Sequence, residues 1–314
     1  MDDLTHVLAG ALIAQTIPSK KKGLVLACVL GAVAPDFDVV LSIFNHEMYV
    51  MEHRGFTHSL LGMLPMVLLA SSLAWLFVRK KSDGAPFLAL FGMALAGDVS
   101  HLALDWCTSW GTMLLWPNRT RYALDQLFIF DIWYLTLLVV PLVLCARFPA
   151  KRVAISLVGI VLLLSYHGLT VGEHRLALQV GAEIHPDSQS IALPEPLSPF
   201  RWTIFTRRLS QLQTAHIDFL KNSTPLTWQI WDEPPYTPEI QEAFATPRVK
   251  TFLWFARAPM WEEKKNSDGS ILVRFWDGRF NATFGALGKS NTRRFGANVL
   301  IRNGKVETDQ AKDE

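Results

Sequence analysis

Apolar and polar positions divide this chain into two halves of different character. From Leu4 to about Val171 it runs through long apolar stretches with few charges between them; from Gly172 onward it turns polar, aromatic and proline-rich. A helix needs about 20 apolar residues to cross a hydrocarbon core of ~30 Å. Four runs meet that need: Ser59–Val78, Pro86–Trp106, Leu127–Ala146 and Val153–Val171. Two earlier runs are weaker. Leu4–Ile17 is short, and Gly23–Phe44 carries Pro35, Asp36 and Asp38, which break its second half. The pattern predicts an α-helical membrane bundle of about six helices over residues 1–171, the first two being partial spans. A small, mainly β extramembrane domain over 172–314 follows it.

In the second half, short β-rich segments are predicted at Leu176–Ile184, Arg201–Phe205, Val249–Ala256, Ile271–Trp276 and Val299–Ile301. Prolines and glycines separate them, and Asp268-Gly269 and Asn303-Gly304 are hairpin signals. The expected form is a small antiparallel sheet or sandwich. Most of Trp202, Trp228, Trp231, Trp254, Trp261 and Trp276 are expected in its core, and a cover over the membrane site or a binding module is its expected role.

The basic residues orient the bundle. Lys20–Lys22, Arg79–Lys81 and Arg147–Arg152 lie between alternate apolar runs, so six spans would place all three turns at one end. Positive short loops mark the cytoplasmic side. The loops near 36–58 and 107–126 and the C-terminal half are therefore expected on the outer face of a multi-pass protein.

Composition narrows the classes further. Only 18% of residues are charged, against ~25% in an ordinary soluble domain. A net charge of +2 without a basic, aromatic-interleaved patch argues against a nucleic-acid partner. Cys28, Cys107 and Cys145 are odd in number and lack CxxC spacing, so no disulfide framework is expected. Asp2 and Asp3 stand where a signal peptide carries positive charge, so no cleavable signal is expected.

Candidate chemistry lies in polar residues that such helices ordinarily exclude: Asp3, His6, Asp36, Asp38, His53, Arg54, Thr57, His58, Ser59, Asp98, Ser100, His101, Asp105, Asp125 and Asp131. All fall at the outward end of their runs. Asp98, His101 and Asp105, spaced by three and four, share one helix face. Singly, a histidine here is more often a hydrogen-bonded structural residue, an aspartate a cap or turn residue, and Arg54 a snorkelling side chain. Their co-location is what those readings leave unexplained. Ionisable groups in spanning helices usually face an interior site, and carboxylates with imidazoles are ligands of zinc, manganese and iron.

A metal bound at water-exposed ligands can activate water and polarise a carbonyl or phosphoryl oxygen, so hydrolysis is the expected use. A subset of His6, Asp36, His58, His101 and Asp105 is expected to hold the divalent ion, zinc first among the candidates. Asp38, His53, Arg54 and Asp98 take the catalytic places. Arg54 suits an anionic oxygen, an unligated aspartate serves as base, and His53, Asp38 and Asp98 are also second-layer partners or ligands of a second metal.

Taken together, His6, Pro35-Asp36-x-Asp38, His53-Arg54-Gly55-x-Thr57-His58-Ser59 and Gly97-Asp98-x-Ser100-His101-x-x-x-Asp105 resemble the membrane-bound, metal-dependent hydrolases. That family includes the YdjM-like, LexA-regulated inner-membrane hydrolases. Thr108-x-x-Gly111, Trp116-Pro117, Asp125 and Asp131 fit the same pattern, and Pro194–Trp202 and Asp277-x-Arg279-Phe280 fit it less specifically. The resemblance implies a bacterial inner-membrane location, contact with the lipid bilayer and a hydrolase activity. A likeness of some motifs to zinc-dependent phospholipase C leans the substrate toward phosphoesters or lipids. Two other classes stay open: a structural or regulatory membrane protein with a stabilising metal, and a transporter. The gathering of polar groups at one end, away from the bilayer midplane, argues against the transporter.

Overall fold

The computed structural model describes residues 1–44, 46–221, 226–280 and 296–310. They form two compact units: Met1–His174 with Pro196–Pro199, and Arg175–Glu195 with Phe200–Glu314.

Helices build the first unit. α1 (Asp3–Gln15) and α2 (Leu24–Val33) precede a 3-10 turn over Pro35–Val40, then short α3 (Leu41–Phe44) and α4 (His46–Glu52). A second 3-10 turn at Phe56–His58 leads into α5 (Leu60–Val78), α6 (Phe87–Trp106), α7 (Ile132–Arg147) and α8 (Arg152–Ile184). Among the described residues, three stretches are long and apolar enough to cross a membrane: α5, α6 and Pro149–Ile184. A fourth span arises if α2 and Pro35–Ile43, bent by 46° at their junction, count as one.

Of the six expected helices, three or four among the described residues are long and apolar enough to span, and α1 is short as its run suggested. α1 and α7 have 13 and 16 residues, and at ~1.5 Å each both fall short of a ~30 Å core. α7 starts after the expected Leu127 because Asp131 caps it, its Oδ1 accepting the N–H of Trp133 (2.9 Å) and Tyr134 (3.0 Å). α8 continues through the expected strand Leu176–Ile184. There Ala177, Leu178 and Val180 pack against Ala192, Trp202 and Ile204, an apolar contact that helical spacing serves as well as alternation would.

Local caps and small residues set the packing. Asp2 caps α1 through Thr5 N–H at 3.1 Å, and Ser59 caps α5 through Gly62 N–H at 2.9 Å. α2 and α6 approach so closely that a Cβ on Gly31 would lie 2.0 Å from Ala94 O, and one on Gly97 2.0 Å from Cys28 O. The basic turns meet as their spacing predicted. Lys22 and Gly84 form a parallel bridge, with Lys22 N–H donating to Asp83 O at 2.9 Å. Arg152 donates to the carbonyls of Ile17 (2.9 Å) and Ser19 (2.8 Å).

The second unit carries two four-stranded antiparallel sheets. The first, in order, is β1 (Ser190–Pro194), β2 (Arg201–Arg208), β3 (Gln211–Asp218) and β4 (Trp228–Asp232). The second is β5 (Pro259–Lys265), β6 (Ile271–Asp277), β7 (Gly296–Arg302) and β8 (Lys305–Gln310). Gly269 turns β5 into β6, and Asn303-Gly304 turns β7 into β8, all three with positive φ. Between the sheets come α9 (Pro238–Ala245) and α10 (Pro247–Phe255).

α10 replaces the expected strand at Val249–Ala256. Thr246 accepts the Val249 N–H at 3.4 Å and Pro247 opens the first turn, a start signal that outweighs the β propensity downstream. Four of the six tryptophans follow the expectation of a core position, Trp202 fully buried and Trp228, Trp261 and Trp276 packed against the apolar clusters, while Trp231 and Trp254 are exposed.

Within the first sheet, Glu195 accepts from Thr203 Oγ1 at 2.9 Å and pairs with His216 Nδ1 at 2.5 Å. Burial alone would raise the Glu195 carboxyl, yet His216 and Thr203 hold it below its usual range; Glu195 in turn raises the His216 imidazole. The lowered carboxyl stabilises the fold above its unfolded pKa of ~4.3 and loses that contribution as pH falls through the folded value. The raised imidazole stabilises fully below ~6.5 and loses its share as pH rises through the folded value. Amide protection in β2 and β3, corrected for intrinsic exchange, is therefore expected to peak between those limits and to flatten in Glu195→Gln. The effect is small, because His216 is half-exposed. Equal protection from pH 3 to 9 in the native chain would refute it.

Candidate metal centre

The bend after α2 decides the site. Pro35 cannot supply a helical N–H, and the chain tightens into the 3-10 turn that brings Asp36 and Asp38 back toward α6 and the Phe56–His58 turn. The close approach of α2 and α6 does the rest. It brings Ala32 O within 2.7 Å of His101 Nδ1. A carbonyl only accepts, so Nδ1 carries a proton, and in the neutral tautomer that this fixes the lone pair is on Nε2.

Four side chains then converge: Asp36, His58, His101 and Asp105 offer one donor atom each, all within 4.8 Å of one another. His58 Nε2 lies 3.0 Å from His101 Nε2, 3.2 Å from Asp36 Oδ1 and 3.3 Å from Asp105 Oδ2. His101 Nε2 lies 3.6 Å from Asp36 Oδ1 and 3.4 Å from Asp105 Oδ2. Two imidazole nitrogens and two carboxylate oxygens thus face one point, with a lone pair fixed on at least one nitrogen. A mixed nitrogen and oxygen set of this kind fits a divalent transition metal. Burial opposes charge on the His58 imidazole, but the carboxylates of Asp105, Asp36 and Asp38 push its pKa up to about 10.

A second layer holds these ligands. Asp38 Oδ1 pairs with His53 Nδ1 at 2.9 Å, while its Oδ2 accepts the Arg54 N–H at 2.9 Å and lies 3.3 Å from both Thr57 Oγ1 and His58 Nδ1. Both Asp38 oxygens are thereby occupied in orienting His53 and His58. Burial holds the His53 imidazole below the usual histidine range, against the opposing pull of Asp38. Arg54, with left-handed backbone (φ 58°), is buried; its guanidinium meets Asp105 Oδ1 at 2.9 Å and Thr108 Oγ1 at 2.8 Å. It is directed at a ligand carboxylate and does not snorkel.

His6 stacks on His101 with ring centroids 3.7 Å apart and lies outside the tight group of four. Asp98 is fully buried one turn before His101, and neither of its oxygens makes a hydrogen bond. Asp131 caps α7 and accepts from Tyr166 at 2.8 Å, the structural role that its position also allowed. Asp125, at φ 55°, is not among the grouped residues.

Sequence reasoning missed several contributors. The Ala32 carbonyl has no signature in sequence. Arg121 grips the carbonyls of Val50 (3.0 Å) and His53 (2.9 Å) and so fixes the segment bearing His53 and Arg54. The amino group of Met1 pairs with Asp105. Thr108 was within reach, because it opens the Thr108-x-x-Gly111 motif.

Comparison with known proteins agrees with the helical unit. The chain is 24% identical to the uncharacterized protein YfhP of Bacillus subtilis over 297 residues, covering 90% of this chain and 88% of that protein. It is 36% identical to the inner membrane protein YdjM of Escherichia coli over 135 residues, covering 40% of this chain and 61% of that protein; the Shigella flexneri YdjM matches equally. No solved structure matches. The family model for the YdjM inner membrane protein matches residues 1–173, which contain the whole acidic and histidine cluster. This chain belongs to the YdjM inner membrane protein family.

Proposed function

We propose that the protein is a metal-dependent hydrolase of the bacterial inner membrane, acting on an ester or phosphoester. The convergence of Asp36, His58, His101 and Asp105 on one point carries this reading. Those four residues hold the ion, zinc first among the candidates, with Asp38, Arg54 and the Ala32 carbonyl fixing their orientation. When bound, such an ion lowers the pKa of water toward ~7 and polarises the scissile ester oxygen.

His53, oriented through Nδ1 by Asp38, is the proton carrier: its Nε2 is the nitrogen left to exchange a proton with water or leaving group. Arg54 offsets the charge of Asp105 through its guanidinium contact at 2.9 Å. Asp98, with no ion pair to break, is the deeper proton acceptor. The basic turns at one end of the helices support, by the positive-inside rule, a cytoplasmic side there and an outer side at the cluster.

A stabilising metal without catalysis is the second reading. It draws on the complete burial of His58, His101 and Asp105. The test is metal content by mass spectrometry on detergent-purified protein, wild type beside His58→Ala and His101→Ala, with hydrolysis of a lipid and phosphoester panel. The expected result is metal in wild type, metal lost in both variants, and turnover ~10²–10⁴-fold lower in a His53→Ala variant that keeps its metal. Metal with no hydrolysis would favour the structural reading, and no metal after reloading would overturn both.

A further inference from the structure

The site holds one histidine more than the group of four uses. His6 is fully buried, and among the described residues neither ring nitrogen makes a well-formed hydrogen bond, though Nε2 lies near Asp105. Its ring lies flat against that of His101, 3.7 Å away and tilted by 19°. The two stacked rings present Nε2 to opposite oxygens of one carboxylate: His101 Nε2 is 3.4 Å from Asp105 Oδ2, and His6 Nε2 is 3.3 Å from Asp105 Oδ1. Asp36 repeats the division. Its Oδ1 faces His58 and His101, while its Oδ2 is buried without a hydrogen bond. Asp3, one turn ahead of His6 on α1, brings its carboxyl against Asp36.

We propose that a second divalent cation sits beside the first, held by His6 Nε2, Asp105 Oδ1 and Asp36 Oδ2 with Asp3 at its outer side, so that Asp105 and Asp36 bridge a two-metal centre. This rests on the metal reading of the group of four. Paired hydrolytic metals sit ~3.5–4 Å apart, and the stack of His6 on His101, 3.7 Å between ring centroids, keeps the two rings side by side at Asp105. An aspartate that uses one oxygen toward each histidine is the arrangement a bridge requires. Arg54 and the Met1 amino group also meet Asp105 Oδ1; the second ion takes over from the amino group as counter-charge, while the guanidinium stays anchored on Thr108. Two metals would clamp both the attacking and the leaving oxygen of a phosphoester.

The experiment is saturation of the full-length, detergent-purified protein with Mn²⁺, read by metal stoichiometry and by electron paramagnetic resonance. Expected are two equivalents with an exchange-coupled spectrum in wild type, and one equivalent with an uncoupled spectrum in His6→Phe, which keeps the ring stacked on His101. Asp3→Asn is expected to weaken binding of the second equivalent only. One equivalent and an uncoupled signal in wild type would overturn the second site and leave the single-metal reading standing. No bound Mn²⁺ or Zn²⁺ would overturn both. Should His6→Phe fail to fold, the wild-type stoichiometry and coupling decide alone.

Discussion

Asp105→Ala is expected to abolish metal binding and to destabilise the helical unit by ~3–5 kcal/mol, the usual cost of removing one partner of a buried ion pair. Asp105 has no solvent exposure and meets five groups: the Met1 amino group, His6, Arg54, His58 and His101. Its loss leaves Arg54 buried, with Thr108 Oγ1 and the backbone carbonyl of residue 105 as its acceptors among the described residues. The magnitude comes from that stranded guanidinium more than from the missing contacts. The double variant Asp105→Ala, Arg54→Met removes both charges and is expected to regain much of the stability while the metal stays lost. Thermal unfolding in detergent together with metal analysis separates the two effects. A single variant that melts like wild type would show that Asp105 does not compensate Arg54.

Gly97→Ala is expected to cost ~1–3 kcal/mol or more by overpacking, with metal binding weakened in whatever protein folds. A Cβ there would lie 2.0 Å from Cys28 O and 2.7 Å from Ala32 N, and neither backbone atom can yield without moving α2. Moving α2 also withdraws the Ala32 carbonyl from His101 Nδ1, releasing the tautomer that aims Nε2 at the metal. One methyl group would therefore reach the site through the backbone of the neighbouring helix. Gly92→Ala on the same helix is the control, since nothing lies within 4 Å of its added Cβ and alanine favours helix. Expression level, melting temperature and metal content of the two variants should diverge. Equal behaviour would refute tight α2–α6 packing as the device that orients His101.

Some of this was legible along the chain. The apolar runs located α5 and α6 within a residue at each end, because a long uninterrupted run admits few alternatives. The i, i+3, i+7 spacing of Asp98, His101 and Asp105 set them on one helix face. The basic turns fell into register at one end, and Lys22 and Gly84 do pair there. Where apolar runs were short, the sequence could not separate helix from strand: Leu176–Ile184 and Val249–Ala256 both fold as helix. Packing partners and Thr246 as a cap decided those segments, not the intrinsic preference of the residues.

By itself, then, the sequence determined the apolar helices, the hairpins at Gly269 and Asn303-Gly304, and the inventory of residues able to bind a metal. Those features follow from periodicity and from backbone preferences that act within a few residues. Tertiary structure decided which members of the inventory meet. It gave Asp38 to His53 and His58, turned Arg54 onto Asp105, stacked His6 on His101 and left Asp98 without a hydrogen bond. Each of these outcomes depends on the 46° bend after α2 and on two glycines that let α2 and α6 touch. Ligand geometry is fixed by the distance between backbones far apart in sequence, and no local pattern records that distance.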